Sequence, residues 1–290
     1  MAAALRMTRF PFQQVDVFTA VPFMGNPVAV VLESDSLSTD EMQAIARWTN
    51  LSETTFICHA VHPTADYRLR IFTPRSELPF AGHPTIGSAH AALRHGLEPK
   101  TTGRVVQECG KGLVQIERDG ERLFLELPVP RFSEAIVPAS RLAGALNTKE
   151  SDLLRVAAID VGPMWLTVQL PSAEAVIALQ PNMESLRALV PKGLTGVTVF
   201  GLNGPTASAG LEVRSFAPGE GVPEDPVCGS GNGCVAALVR RDGLVADRDY
   251  LARQGRCLGR DGWVAVRFGE GGAIWVGGHS VTCVEGSISV

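Results

Sequence analysis

Residues 67–72 alternate, with Tyr67, Leu69 and Ile71 apolar against Arg68 and Arg70, which is the period-two pattern of a strand with one buried face. β-Branched runs at 15–18 and 27–32 flank Phe23-Met24-Gly25-Asn26 and predict a hairpin-like start to the fold. The spacing then changes. Over 38–50, Met42, Ile45 and Ala46 share one helical face, and Ser38 with Glu41 stands at capping-box spacing. A strand over 54–58 follows. After it, 84–94 reads as a helix of mostly small residues, with Gly96 just past its end. That helix is apolar nearly all round, the pattern of a helix enclosed by a sheet. Strands at 105–109, 113–117 and 123–127 complete the first half. Residues 231–241 repeat the small-residue helix, and 251–254, 263–268 and 273–277 repeat the closing strands.

The echo extends to individual residues. Arg70, Phe72 and Pro74 match Arg214, Phe216 and Pro218 at an offset of 144 (214 − 70). Glu77, Pro79, Gly82, Arg94, Gly96 and Leu97 match Glu224, Pro226, Gly229, Arg241, Gly243 and Leu244 at 147 (224 − 77). Val15-Asp16-Val17 pairs with Ile159-Asp160-Val161 at 144, 51–55 with 194–198 at 143, and 112–116 with 262–266 at 150. A period of half the chain means one fold used twice, not a solenoid. The expected architecture is therefore α+β, with two pseudo-symmetric domains, each a curved, mainly antiparallel sheet around a central apolar helix. The domains are placed at 8–130 and 145–278. Pro128 to Pro138, with three prolines and little periodicity, signals a linker, placed at 131–144, and 279–290 is read as a strand that returns to the first domain.

With 290 residues each half can bury its own core. A net charge of −4 and the lack of any Lys/Arg run argue against nucleic acid as a partner. No stretch approaches the roughly 18 apolar residues of a membrane span, so a cytoplasmic protein is expected. Six scattered cysteines without a Cys-x-x-Cys read as reduced thiols, and no structural metal is expected.

Gly229-Ser230-Gly231-Asn232-Gly233 lacks the Gly-x-x-x-x-Gly-Lys of a phosphate loop and lies in the wrong context for a dinucleotide turn. It suits backbone N–H groups approaching an anion at a helix N-terminus, and Gly82-His83-Pro84-Thr85 offers the same at the matching helix. Gly82, Gly229, Ser230, Gly231 and Cys228 are therefore the substrate-binding candidates, for a small carboxylate. The repeat sets Glu53 opposite Gly196 (53 + 143), His83 opposite Ser230 and Ala81 opposite Cys228. A common scaffold does not need Glu53, which makes it a candidate for chemistry.

The segments Asp16-Val17-Phe18-Thr19, Pro22 to Leu32, Leu51-Ser52-Glu53-Thr54-Thr55-Phe56, Leu78-Pro79-Phe80-Ala81-Gly82-His83-Pro84-Thr85 and Glu224-Asp225-Pro226-Val227 before Gly229-Ser230 are similar to the signatures of the PhzF (phenazine-biosynthesis isomerase-like) family. The likeness runs through most of the chain in order. It implies the diaminopimelate epimerase-like fold, with a site between two similar domains, and a cofactor-independent isomerase that shifts a proton on a small acid. It also implies Glu53 as acid/base, with His83 and Asp225 in the site, and pairing into homodimers. Cys228 departs from the pattern. Cys-Gly-Ser-Gly resembles the second thiol motif of proline racemases and diaminopimelate epimerases, while Ala81 stands where the first thiol would be. Two alternatives stay open: a one-thiol racemase or dehydratase relative using Cys228, and a small-acid binding protein without turnover.

Overall fold

The computed structural model describes residues 7–134, 137–204, 206–245 and 249–290. The chain divides into two units. Residues up to Phe23, Pro27–Phe124 and His279–Val290 form the first, and Met24–Asn26 with Leu125–Gly278 the second.

Each unit is built by the same rule. In the first, the strands Asn26–Val31 and Thr54–Cys58 run parallel, and the helix Thr39–Thr49 makes the crossover that a parallel pair requires. Tyr67–Phe72 then pairs antiparallel with Thr54–Cys58 and parallel with Arg104–Cys109, the second crossover being the helix Gly82–Arg94. Gly112–Asp119 closes this run antiparallel. In the second unit Met164–Gln169 runs parallel to Gly196–Leu202, which pairs antiparallel with Leu211–Ala217. That strand lies parallel to Tyr250–Gln254, which Gly262–Phe268 follows antiparallel. The two crossover helices, Gly82–Arg94 and Gly229–Arg241, begin and end at the same offset of 147 (229 − 82 and 241 − 94). Pairing pattern and residue offsets give the same duplication.

Each crossover helix begins two residues before the first position its residue pattern indicates, so Gly82 and His83, like Gly229 and Ser230, lie in the first helical turn. Pro84 does not prevent this, because a first-turn N–H has no intrahelical partner to lose. Gly82–Arg94 packs against the strands Arg9–Val17, Thr54–Cys58, Tyr67–Phe72, Arg104–Cys109 and Ser280–Ser289. Gly87 lets it approach so closely, since a Cβ there would sit 2.5 Å from Val28 Cγ1. The Thr39–Thr49 helix carries the full capping box, with Ser38 Oγ accepting from Glu41 N–H, and ends on Asn50 in the left-handed conformation.

The segment 131–144 is not a free linker. Arg131–Ser133 forms a strand paired with Arg155–Asp160, and Ala139–Leu146 is a helix with Leu142 and Leu146 wholly buried in the core beside Leu166, Val197 and Phe216. Residues 135 and 136 of that stretch lie outside the described residues. The prolines punctuate these elements instead of extending the chain, Pro138 standing at the N-cap of the helix. The start of the fold also differs from a tight hairpin. The first strand ends at Val17 and the next begins at Asn26, with Phe18 and Phe23 at φ 66° and 71° in the loop between them.

Both units carry the same ionic clasp. Arg70 donates through Nε and Nη2 to the two oxygens of Glu77, both at 2.7 Å, and stacks 5.1 Å from the Phe72 ring. Arg214 forms the same fork to Glu224 at 2.9 Å twice, 5.0 Å from the Phe216 ring. Each fork ties a strand to the segment leading into the crossover helix.

The strand Ser280–Ser289 pairs antiparallel with Arg9–Val17 in the first unit. Thr282 Oγ1 donates to Gln13 Oε1 at 3.1 Å and lies 3.1 Å from His90 Nε2 on the crossover helix. Burial, with some help from nearby Arg94, pushes His90 down to about 4. An unfolded histidine titrates near 6.5, so between pH 4 and 6.5 the unfolded chain binds the extra proton and stability rises with pH. Urea unfolding should therefore show about 2–3 kcal/mol lost between pH 6.5 and 4 through this residue. That slope should flatten in His90→Gln.

Candidate functional site

Glu53 stands immediately before the strand Thr54–Cys58, and His83 is the second residue of the Gly82–Arg94 helix. Strand pairing and the helix start bring them together within the first unit, with Glu53 Oε2 3.5 Å from His83 Nε2. Only 17 % of the glutamate side chain and 10 % of the histidine side chain are exposed. The neighbouring hydroxyls are already committed elsewhere. Thr54 and Thr49 share a hydrogen bond at 2.6 Å, Thr55 donates to the Ala29 carbonyl, and Ser88 donates to Thr55. Burial therefore acts with little local compensation and lifts Glu53 to about 7, against a smaller downward pull from a hydrogen bond with Ser52. A carboxyl group that titrates near 7 can both take and return a proton at neutral pH, which one near 4.5 does poorly. A Cβ on Gly82 would meet nothing within 4 Å, so there is open space before this helix terminus.

In the second unit, Asp225 ends the strand Val222–Asp225. Its Oδ1 accepts from Asn26 Nδ2 and from Val227 N–H, both at 3.0 Å, and its carbonyl accepts from Gln254 Nε2. The carboxylate is thus held in one orientation on a loop that Asn26 also grips through the Val227 carbonyl. Gln254 Oε1 accepts from Cys228 N–H and Asn232 Nδ2. Asn26, Asn232 and Gln254 form a supporting set that no single sequence motif announces.

Cys228 is the N-cap of the Gly229–Arg241 helix, as Ala81 is of its counterpart. Its sulfur accepts the Gly231 N–H at 3.3 Å, and burial, followed by the nearby charge of Asp225, pushes the thiol well above its ordinary range. The helix terminus does not make a thiolate here, because desolvation outweighs it. With its N–H taken by sulfur, Gly231 acts in packing: a Cβ there would lie 2.5 Å from Ser215 Oγ and 3.1 Å from Thr198 Oγ1. Ser230 is half-buried, and its Oγ accepts the indole N–H of Trp165 at 3.0 Å.

The two units are therefore chemically unlike at matching positions. Where the first has Glu53, the second has Gly196, and the reason is steric. A Cβ at Gly196 would collide with the Phe216 carbonyl oxygen and come within 2.9 Å of Trp165 Cζ3. Even Gly196→Ala should destabilise by about 1–3 kcal/mol through overpacking, measured by urea unfolding, while Gly82→Ala should cost less than half of that.

Among the described residues no group of three His, Cys, Asp or Glu side chains is placed to hold a metal ion. No helix among them is long and apolar enough to cross a membrane.

Comparison with known proteins gives a consistent result. The sequence model of a family described as phenazine biosynthesis-like protein, PhzC-PhzF, matches residues 15–286. The chain is 41 % identical to Antisense-enhancing sequence 1 of Schizosaccharomyces pombe, covering 97 % of this chain and 99 % of that one. It is 33 % identical to trans-2,3-dihydro-3-hydroxyanthranilate isomerase of Pseudomonas chlororaphis, over 94 % of this chain and 97 % of the other. Its fold resembles the crystal structure of a Bacillus anthracis phenazine biosynthesis protein with a TM-score of 0.87 at 25 % identity, covering 98 % of this chain and all of that chain. The architecture is the epimerase-like one that the family resemblance implies, and the duplication agrees with it.

Proposed function

We propose, for a chain that belongs to the PhzF family and is an isomerase, that it shifts a proton between carbons of a small carboxylate-bearing substrate without a cofactor, using Glu53 as the acid/base. The observation that carries this reading is a single glutamate near pKa 7, 3.5 Å from His83, at a position where the other unit has no room for a side chain. As carboxylate, Glu53 takes a proton from a substrate carbon and becomes a neutral acid, and the electron pair delocalises into the adjoining unsaturated system. The neutral acid exchanges its proton with solvent, and delivering a proton to another carbon restores the carboxylate. Nothing is oxidised or reduced and no group leaves. His83 steadies Glu53 through the change of charge, Asp225 orients a donor on the substrate, and Ser230 holds the carboxylate.

The Pseudomonas chlororaphis relative acts, by its name, on trans-2,3-dihydro-3-hydroxyanthranilate, which is a carboxylate. That compound is the first probe. In deuterated water the wild-type protein should place deuterium on a ring carbon of the product, read by NMR or mass spectrometry. A small-acid binding protein would bind the compound and exchange nothing. The one-thiol reading gains no support from a buried, hydrogen-bonded, neutral Cys228. It requires Cys228→Ser to remove turnover, whereas the glutamate reading expects that variant to keep most of it.

A further inference from the structure

We propose that Trp165 is a positioning residue that holds Ser230 through one lone pair, so that the hydroxyl donates its proton to an anionic oxygen on a ligand. The inference rests on the reading of Ser230 as carboxylate anchor and extends it to the side chain that aims it.

A serine hydroxyl has one proton and two lone pairs, and an indole N–H can only donate. Trp165 Nε1 fills one lone pair of Ser230 at 3.0 Å. Cys228 Sγ lies 3.6 Å from the same oxygen. That sulfur accepts the Gly231 N–H, and between it and Ser230 either atom can be the donor. With one lone pair held by an N–H that can only donate, the hydroxyl is fixed in place and keeps its proton for an acceptor. A carboxylate oxygen is a stronger acceptor than a neutral thiol sulfur and takes that proton.

The indole is not free to leave. Trp165 is 2 % exposed and its strand pairs Trp165 with Gly196, where a Cβ would come within 2.9 Å of Trp165 Cζ3. In the first unit, Ala29 opposite Thr54 matches Leu166 opposite Val197, which sets Val28 at the place of Trp165. Val28, Glu53 and His83 in one unit thus correspond to Trp165, Gly196 and Ser230 in the other. Three positions differ together: removing the acid's side chain makes the room that the indole fills, and the indole bonds the residue that stands in for His83. A tryptophan that merely filled space would have no need to point its nitrogen at that residue.

The test combines Trp165→Phe, which keeps a ring and removes the donor, with Ser230→Ala and the double variant, each checked for folding by its melting temperature. In 15N-labelled protein the Trp165 indole N–H signal, identified by its loss in Trp165→Phe, should shift in Ser230→Ala. With trans-2,3-dihydro-3-hydroxyanthranilate as substrate, Trp165→Phe should raise KM about five- to tenfold, the worth of one hydrogen bond, and leave kcat within about twofold. On the Ser230→Ala background it should add nothing. An indole signal unmoved by Ser230→Ala, or a Trp165→Phe effect of equal size on both backgrounds, overturns the role of Trp165 while leaving Ser230 as anchor. If Ser230→Ala leaves KM unchanged, or the wild-type protein gives no deuterated product, the reading of the site itself fails.

Discussion

Glu53→Gln should abolish deuterium incorporation from solvent into the substrate carbon and, at the same time, make the protein harder to unfold above pH 7. Loss of a positioned acid/base costs about 10²- to 10⁴-fold in rate, and a side-chain amide cannot exchange a proton with carbon at all, so the upper end of that range is expected. The stability change has the opposite sign. Glu53 titrates near 7 in the folded protein and at about 4.5 when unfolded, so between these values the folded state holds a proton that the unfolded chain has released. Its favourable contribution is fully present below pH 4.5 and lost as pH rises through 7. By pH 8 the buried carboxylate costs about 2–3 kcal/mol relative to its neutral form. Glutamine keeps the shape and removes the titration. Urea unfolding at pH 5 and pH 8 should show wild type losing stability between the two while Glu53→Gln stays nearly level, after the opposing His90 slope common to both is subtracted. Retained turnover in Glu53→Gln, or a variant no more stable at pH 8, would refute this assignment.

Arg214→Met should be the most destabilising change among the charged residues, and Arg70→Met, its counterpart in the repeat, should be mild. The two forks have the same geometry but different surroundings. Arg214 and Glu224 are 7 % and 9 % exposed, whereas Arg70 and Glu77 are 23 % and 40 % exposed. Arg214 also donates through Nη1 to the carbonyls of Val176 and Leu179, so its removal leaves a buried carboxylate and the Leu179 carbonyl without their donor, while Val176 keeps the Leu179 N–H. Breaking such a pair from one side costs about 3–5 kcal/mol, while an exposed pair is worth less than about 1 kcal/mol. Chemical unfolding of the two variants beside wild type measures both. The carboxylate left behind can be tested in turn. Arg214→Met combined with Glu224→Leu should recover most of the loss, because an apolar pair of similar volume avoids the unpaired charge.

The duplication was legible because it is written in residues with backbone or ionic duties: Arg and Glu of the forks, glycines at helix ends, aromatic residues beneath the arginines. These survive divergence between two halves of one chain. Glu53 and His83 stood out by comparison with their counterparts, since Gly196 and Ser230 show that the scaffold does not require them. What could not be read was any contact whose two ends share no motif. Trp165 and Ser230 are far apart in sequence, and the offset that sets Trp165 opposite Val28 differs from those of the matching segments, with no residue likeness to mark it. Gly196 could be read only as a missing glutamate, because the crowding of its Cα by Phe216 and Trp165 is a property of three strands together. Cys228 was ambiguous for a similar reason. A helix N-terminus lowers a thiol's pKa and burial raises it, and sequence reports the terminus but not the burial. Pro128, Pro130 and Pro138 pointed to extended chain, yet a short strand stands between the last two and a helix follows Pro138.

The pairing of Arg9–Val17 with Ser280–Ser289 has a consequence for the order in which the protein can be made. The second unit, apart from Met24–Asn26, is one continuous run of chain, so its sheet can close as soon as residue 278 has been synthesised. The first unit cannot. Its opening strand must wait through the synthesis of more than half of the chain for residues 279–290. Vectorial synthesis usually lets the earlier domain fold first. Here the order is reversed, and the half that carries Glu53 is the later one to be completed. A growing chain can therefore complete the unit that carries Ser230 before the one that carries Glu53 and His83, which closes only when synthesis has passed the strand that joins the two ends of the first unit.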